Sequence, residues 1–259
     1  MTSGVKSIGE SRGKLLRDGD VGDGIAVEGG RWAFSGPAAE HFDTHVQRSV
    51  PGYEDGHQLV LELSDFFMAT GTRVVDVGCS TGPLIEALAK RHPLVDAELV
   101  GVDSSPEMVA KARERCAGEA RVRIEHCDAR KVDYTDATFV VLYYTLQFIP
   151  IWQRREVLER IHGGLRPGGA MVVFEKTRWS SGKMQDFGNQ VYTSFKLRQG
   201  FGPDEILSKS QSLRGVLDPL SSEDNAAMIR NLGFDGPHSI YRFLAFEGSV
   251  AFRCEQPES

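Results

Sequence analysis

The sequence predicts an α/β fold in which a mostly parallel sheet is covered by helices on both faces. Three observations indicate it. Apolar runs alternate with helical segments from residue 73 onward, a glycine-containing turn follows the first run, and an acid closes the second. Such alternation is typical of parallel sheets, which bind their ligands at the carboxyl ends of the strands.

The region before residue 73 predicts helices and no strands. Residues 1–30 contain eight glycines and no sustained hydrophobic period, so we predict a flexible leader there and a single domain over 31–259. Residues 40–48 predict a short helix that ends before Pro51 and Gly52. Residues 57–69 carry apolar side chains at the i, i+3, i+4 spacing of an amphipathic helix.

The alternating region predicts five strands and three helices. The strands are expected at 73–77, 99–102, 122–126, 137–144 and 170–175. The helices are expected at 83–91, 106–116 and 153–165, the second with Ser104 or Ser105 as its N-cap and Pro106 in its first turn. The motif RPGG at 166–169 predicts a sharp turn into the fifth strand.

The C-terminal part predicts a different arrangement. Residues at about 177–220 are polar and predict a helical insertion or lid, broken near Gly200 and Pro203. A helix is expected at 222–232, and two strands at 239–245 and 248–253. Little more than a turn separates these strands, so they must be antiparallel. The prediction is therefore a seven-stranded sheet with an antiparallel C-terminal strand.

Composition limits the classes of function. The chain has 259 residues, 41% of them hydrophobic and 25% charged, which is ordinary for a soluble globular protein. A net charge of −6 argues against direct binding of nucleic acid. The four cysteines form no CxxC pair and no metal-ligand spacing, so we expect a cytoplasmic protein without a metal site. No signal peptide or membrane segment is expected.

The motif VVDVGCSTG at 74–82 is the strongest functional signal. It joins a buried strand to a helix through a turn of small residues, and Asp103 closes the next strand. This geometry suits an adenosine, because the backbone can approach the ligand at the turn and the carboxylate can bind the ribose hydroxyls. Dinucleotide enzymes share the turn, so it does not identify the ligand alone.

Three features favour S-adenosylmethionine over a nicotinamide dinucleotide. Ser80 stands where a dinucleotide enzyme needs glycine for close approach to a pyrophosphate. Asp128, after the third strand, is well placed for the adenine amino group. The motif LRPGGA at 165–170 resembles a turn common in class I methyltransferases. We therefore expect S-adenosyl-L-methionine as cofactor and S-adenosyl-L-homocysteine as product.

Several motifs resemble a narrower group of class I methyltransferases, the carboxy-S-adenosylmethionine synthase family. They are QRSVPGY at 47–53, VGCS at 77–80, VDSSP at 102–106, TLQF at 145–148, Gly169-Ala170 and Glu175-Lys176. The resemblance extends from about residue 32 to 253. It implies a Rossmann-like fold, a reaction of S-adenosylmethionine with prephenate that serves tRNA wobble-uridine modification, and a homodimer. It also places a set of residues at the cofactor: Tyr53, Gly78, Cys79, Ser80, Asp103, Ser104, Asp128, Ala129 and, at its reactive end, Tyr143.

Two positions depart from that family. Ser210 aligns with the arginine that grips the carboxylate of the family's product, and Tyr143 aligns with an asparagine. Loss of a charge-assisted pair costs about 1.5–3 kcal/mol, although Arg214, one helical turn later, could replace it. We therefore expect methyl transfer to a small-molecule acceptor. The alternatives are a carboxy-S-adenosylmethionine synthase and a non-catalytic nucleotide-binding partner subunit.

Candidate catalytic and substrate residues follow from this interpretation. Tyr143 and His45 are candidates for orienting or deprotonating the acceptor. The alternative for Tyr143, which we favour, is packing against the methionine chain of the cofactor, and the alternative for His45 is a structural or surface role. Glu175 and Lys176 end the fifth strand and could face the pocket. The insertion adds basic and aromatic candidates that suit a carboxylate or an aromatic ring, or that pack in a dimer interface: Trp179, Tyr192, Lys196, Arg198 and Arg214.

Overall fold

The computed structural model describes residues 19–23, 25–27, 34 and 37–254. Most of the predicted leader, and the predicted start of ordered structure at 31–33, lie outside the described residues. Inside the leader, β1 (Gly19–Asp20) and β2 (Ala26–Val27) form an antiparallel hairpin. Val21 and Ile25 of this hairpin are buried. The described part of 19–27 is therefore packed against the domain, not the flexible segment that the glycine content predicted.

Seven further strands of the described residues form one sheet. They are β3 (Arg73–Val77), β4 (Glu98–Asp103), β5 (Val122–His126), β6 (Ala137–Tyr143), β7 (Leu165–Lys176), β8 (Phe234–Phe243) and β9 (Phe246–Arg253). Their order across the sheet is β5-β4-β3-β6-β7-β9-β8. Strands β3 to β7 pair in parallel, and β9 is antiparallel to both β7 and β8. The predicted mostly parallel sheet with an antiparallel C-terminal strand is confirmed.

Eight α-helices of the described residues accompany the sheet. They are α1 (Pro37–Ser49), α2 (Tyr53–Ser64), α3 (Pro83–Arg91), α4 (Pro106–Arg115), α5 (Ile151–Gly164), α6 (Gly182–Arg198), α7 (Pro203–Ser212) and α8 (Ser222–Arg230). The predicted cap of α4 is Ser105, whose hydroxyl accepts from the backbone of Met108. Helix α2 begins earlier than predicted, because Gly52 adopts a left-handed conformation (φ 64°) that lets the helix start at Tyr53.

Both faces of the sheet are covered. Val74 packs in one hydrophobic cluster with Leu88 of α3, whereas the neighbouring Val75 packs in a second cluster with Leu158 of α5. Adjacent strand residues point to opposite faces, so a strand covered on both sides must be apolar at nearly every position. The continuous apolar runs in the sequence follow from this arrangement.

The strand order reverses between β3 and β6. The chain builds β3, β4 and β5 toward one edge and then crosses back to place β6 on the other side of β3. Ligands of open α/β sheets bind in the crevice that forms at such a reversal. Helices α6 and α7 follow β7, with the predicted break at Gly200 (φ 88°) between them. In the part of the chain that the structure describes, no helix is both long and apolar enough to cross a membrane.

Candidate ligand-binding site

A cavity of about 1520 Å³ lies at the carboxyl ends of the parallel strands. The turns after β3, β4, β5 and β6 form one wall, and much of the rest comes from residues of α1, α2, α6 and α7 and from the segment 213–219. The sheet, which the core holds rigidly, thus positions one side of the cavity. The helical insertion after β7 contributes to the other side, and its role as a lid stays a prediction.

The glycine turn after β3 has a tightly defined backbone. The amide groups of Gly78 and Cys79 both donate to the carbonyl of Val102, at 2.7 and 2.9 Å. Gly78 has φ 76°, and a Cβ at this position would overlap the side chain of Thr145. Glycine is therefore required here for both conformation and space. Gly78, Cys79 and the left-handed Ser80 (φ 50°) all line the cavity, and their contact with the cofactor stays a prediction.

Asp103 links the two turns that follow β3 and β4. One carboxylate oxygen accepts from the amide of Ser80 at 3.0 Å, and the other accepts from the amide of Ser105 at 2.8 Å. Burial raises the pKa of Asp103, although these backbone hydrogen bonds oppose the shift. Asp103 and Ser104 line the cavity. The carboxylate is thus held in place, with acceptor capacity left for a ligand.

Asp76 was not singled out in the sequence, yet it belongs to the same wall. It is 2% exposed and lines the cavity, and its Oδ2 has no hydrogen-bond partner among the described residues. Burial, and then the nearby charge of Asp103, raises its pKa to about 7. A lone acid within the apolar strand β3 is the signal that would have found it, because such a residue is costly unless it has a function.

Asp128 and Ala129 stand at the end of β5, as predicted, and both line the cavity. The Asp128 carboxylate accepts from the backbone amide of Arg130 at 2.8 Å and from its guanidinium at 2.6 and 3.0 Å. This guanidinium lowers the pKa of Asp128 to about 2. Asp128 is therefore ionised and accepts hydrogen bonds only. Arg130, which orients it, was missed because its role depends on a local turn.

Tyr143 lines the cavity, but its hydroxyl is already engaged. It donates to the backbone carbonyl of Tyr53 at 2.5 Å. Burial raises the pKa of Tyr143 far above its ordinary value. A phenol that is difficult to ionise and committed to a carbonyl is a poor proton acceptor. The structure thus favours the packing role for Tyr143 over the catalytic role, and Tyr53 lines the cavity beside it.

His45 also lies in the cavity wall and is 3% exposed. Its Nδ1 is 3.0 Å from a carboxylate oxygen of Asp23 in the hairpin. Burial lowers the pKa of His45 to about 4, and Lys209 acts in the same direction. The imidazole is therefore neutral at physiological pH, which is the form that a general base requires. Its catalytic role stays a prediction.

The substrate candidates divide into two groups. Trp179, Tyr192 and Arg214 line the cavity together with Ser210, whereas Glu175 and Arg198 do not. The side chain of Glu175 is on the other face of β7 from Lys176, buried near Arg154, which opposes the rise that burial causes in its pKa. Arg198 is exposed at the end of α6. The structure thus places Glu175 and Arg198 outside the cavity, and a contact of either residue with substrate stays a prediction that this geometry does not favour.

Comparisons with known proteins agree with the fold. The family profile of a methyltransferase domain matches residues 74–169. The carboxy-S-adenosyl-L-methionine synthase of Staphylococcus epidermidis is 33% identical over 227 residues, which cover 86% of this chain and 97% of that protein.

Two solved structures share the fold. An O-methyltransferase family protein from Burkholderia thailandensis has a TM-score of 0.60 at 20% identity, over 85% of this chain. The match spans 61% of that longer neighbour. The N-methyltransferase NodS from Bradyrhizobium japonicum WM9, solved in complex with S-adenosyl-L-homocysteine, has a TM-score of 0.54 at 14% identity, over 78% of this chain and 87% of that one.

Proposed function

Because the chain belongs to the carboxy-S-adenosylmethionine synthase family of class I S-adenosylmethionine-dependent methyltransferases, we propose that it transfers the methyl group of S-adenosylmethionine to a small-molecule acceptor. The family relationship identifies the cofactor as S-adenosylmethionine. The cavity is large enough to hold a nucleoside together with a second small molecule. The family relationship does not identify the acceptor. We infer the chemical class of the acceptor from the residues that line the cavity.

The residues in the cavity fit S-adenosylmethionine. Asp103 has lone pairs left for the ribose hydroxyls after accepting two amides. The buried Oδ2 of Asp76 has no hydrogen-bond partner within the described part of the chain, and a carboxylate in this position fits an ammonium group. Asp128 and Ala129 would hold the adenine, and the small residues of the glycine turn leave room for the chain that joins the two ends.

The chemistry requires little from the protein. The bound cofactor supplies a methyl group on a sulfonium, which is already a good leaving group. The residues of this chain therefore act mainly by aligning the acceptor with the methyl group. The cavity holds the acceptor in place and excludes water. A base is needed only for an acceptor that must lose a proton, and the neutral His45 is the candidate for that task.

The presence of a serine at position 210 is the single observation that favours methyl transfer over carboxymethyl chemistry. This serine lines the cavity, and the resemblance to the family implies a carboxylate-binding arginine at this position. A serine hydroxyl cannot make the bidentate, charge-assisted pair that a guanidinium makes with a carboxylate. A carboxylated nucleotide would therefore bind less tightly here than in a protein that has this arginine.

A second candidate is the carboxy-S-adenosylmethionine synthase reaction itself. The similarity to the Staphylococcus epidermidis enzyme over nearly its whole length favours it. Arg214 lines the same cavity and offers a guanidinium that could take over the carboxylate. The homodimer, the cytoplasmic location and the absence of direct nucleic-acid binding stay predictions under both candidates.

Mass spectrometry of the products distinguishes the candidates. Purified protein would be incubated with methyl-labelled S-adenosylmethionine, once with prephenate and once with a small-molecule extract, and the Asp103→Ala variant would serve as control. We expect label in an organic product from the extract and no carboxylated nucleotide. Formation of a carboxylated nucleotide with prephenate would replace the proposal by the second candidate. Nucleotide binding without either product would indicate the non-catalytic partner subunit.

A further inference from the structure

Two lysines flank one aromatic ring in the cavity wall. The Nζ of Lys176, at the end of β7, is 4.7 Å from the ring centroid of Tyr192 in α6. The Nζ of Lys196, one turn further along α6, is also 4.7 Å from this centroid. All three side chains line the cavity. We call Lys176, Tyr192 and Lys196 the lysine–tyrosine cluster.

The cluster holds positive charge that the described part of the chain does not neutralise. Neither Lys176 nor Lys196 forms an ion pair with any described carboxylate, and Lys196 is only 7% exposed. Burial lowers the pKa of both lysines to about 8. The next contribution is cationic in each case: Arg178 acts on Lys176, and Lys176 acts on Lys196.

Cation–π contacts do not account for this arrangement. One such contact contributes about 0.5–2 kcal/mol, whereas burial of an ammonium group without a counter-ion costs several kcal/mol. Two like charges beside one ring add repulsion to that cost. An anion bound between them would relieve both penalties, which is the usual logic of a preformed anion site.

Tyr144 provides an independent observation next to the cluster. Its hydroxyl is buried without a hydrogen-bond partner among the described residues, and the residue is 7% exposed. Its ring lies 6.1 Å from that of Phe246, which is also 5.1 Å from the Tyr192 ring and 5.7 Å from the Lys176 ammonium. Tyr144 also has φ 58°, a conformation that costs free energy for a bulky residue.

The lysine–tyrosine cluster lies apart from Asp76 and Asp103, the acidic residues in the wall of the same cavity. Strand β7, which carries Lys176, is two strands from β3, which carries Asp76. Adjacent strands are about 4.8 Å apart, so about 10 Å separates the two strand ends. One cavity therefore presents acids where the cationic cofactor would lie and ammonium groups on the side of the insertion.

We propose that the lysine–tyrosine cluster, with the hydroxyl of Tyr144, binds the oxyanion of the acceptor, so that the acceptor is an aromatic carboxylate or phosphate. This inference rests on the proposed function, since it assigns the acceptor of that reaction. The ring of Tyr192 and the neighbouring Phe246 provide an apolar surface for the planar part of such a molecule. Carboxylate and phosphate share the recognised chemistry, and the test separates them.

Calorimetry on protein saturated with S-adenosyl-L-homocysteine tests the inference. Benzoate and phenyl phosphate are the anionic probes, and benzamide is the neutral one. We expect at least one anion to bind at least tenfold more tightly than benzamide. The Lys196→Gln variant should lose about tenfold of this affinity, and so should Lys176→Gln on the other side of the ring. Both should bind the nucleotide within about twofold of wild type. Arg198→Gln, in the same helix but outside the cavity, is the matched control and should change neither affinity.

The outcomes separate the inference from the proposed function. If the nucleotide does not bind, the proposed function fails. If it binds but benzamide binds as well as the anions, or if both lysine variants keep wild-type anion affinity, the inference alone is overturned. It is also overturned if the lysine variants weaken a carboxylated nucleotide and not the probes. Tyr144→Phe, which removes only a hydroxyl, should weaken the preferred anion by severalfold, and the better of the two anions identifies carboxylate or phosphate.

Discussion

The hydroxyl of Tyr143 donates to the backbone carbonyl of Tyr53 at 2.5 Å and thereby fastens the end of β6 to the first turn of α2. The two rings meet edge to face, with centroids 5.1 Å apart. Both residues are buried at the wall of the cavity. Tyr143 thus links the sheet to α2, a helix that the cofactor would contact.

The Tyr143→Phe variant tests this structural role. It keeps the ring and removes the hydrogen bond, so we expect a loss of about 1 kcal/mol in the free energy of unfolding. Turnover should stay within a few-fold of wild type, because the phenol is not a base. Urea unfolding and a methyl-transfer assay measure the two quantities. A hundredfold loss of turnover with unchanged stability would restore the catalytic role of Tyr143.

The Asp103→Ala variant should lose at least tenfold of its affinity for S-adenosyl-L-homocysteine, because the ribose hydroxyls lose a charged acceptor and the turn loses two amide contacts. Glu98→Ala, at the opposite end of β4, is the matched control and should bind normally. Isothermal titration calorimetry gives both affinities. Equal affinities for the two variants would contradict the assignment of Asp103.

Asp76 should make the stability of the ligand-free protein depend on pH. Its pKa rises from 3.8 to about 7 on folding, so between these values the folded state retains a proton that the unfolded state has lost. The contribution of Asp76 to the free energy of unfolding therefore decreases as the pH rises from 3.8 to about 7. Asp76→Asn removes the effect, and its advantage over wild type in urea unfolding should grow from about pH 4 to about pH 8. A difference between Asp76→Asn and wild type that stays constant with pH would refute the raised pKa of Asp76.

The Ser210→Arg variant should gain affinity for a carboxylated S-adenosylmethionine analogue. One charge-assisted pair gives about 1.5–3 kcal/mol, or about ten- to a hundredfold. Binding of S-adenosyl-L-homocysteine should not change. Gln211→Arg adds the same charge at the next position, which does not line the cavity. If both variants gain the same affinity for the carboxylated analogue, the added positive charge acts non-specifically. Ser210 then does not lie at the carboxylate position.

The sequence predicted the sheet well, and it located residues that line the cavity, because both depend on local patterns. Strands buried on both faces produce continuous apolar runs, and Asp103 could be located because it ends such a run. The left-handed Gly78 belongs to a turn that only small residues can form. Asp76 was missed because its position in β3 was treated as part of the hydrophobic core.

Residues near the ends of strands were harder to assign. Glu175 and Lys176 are adjacent, yet one is buried against Arg154 and the other faces the cavity, and sequence alone does not say which. Tyr143 lines the cavity, but its hydrogen bond to Tyr53 joins residues 90 positions apart, and no local pattern in the sequence indicates it. The hairpin at 19–27 depends on Val21 and Ile25 packing against Leu213 and Val216, a long-range contact that no local pattern reveals.

If the proposed acceptor is an anion held by the lysine–tyrosine cluster, the opposite charges in the cavity would couple the binding of donor and acceptor. A cationic nucleotide beside Asp76 and an anion beside Lys176 would attract each other in a medium of low dielectric constant, so each should raise the affinity of the other. Methyl transfer turns the sulfonium into a neutral thioether and abolishes this attraction. The same electrostatics that assemble the reactants would thus hasten release of the products.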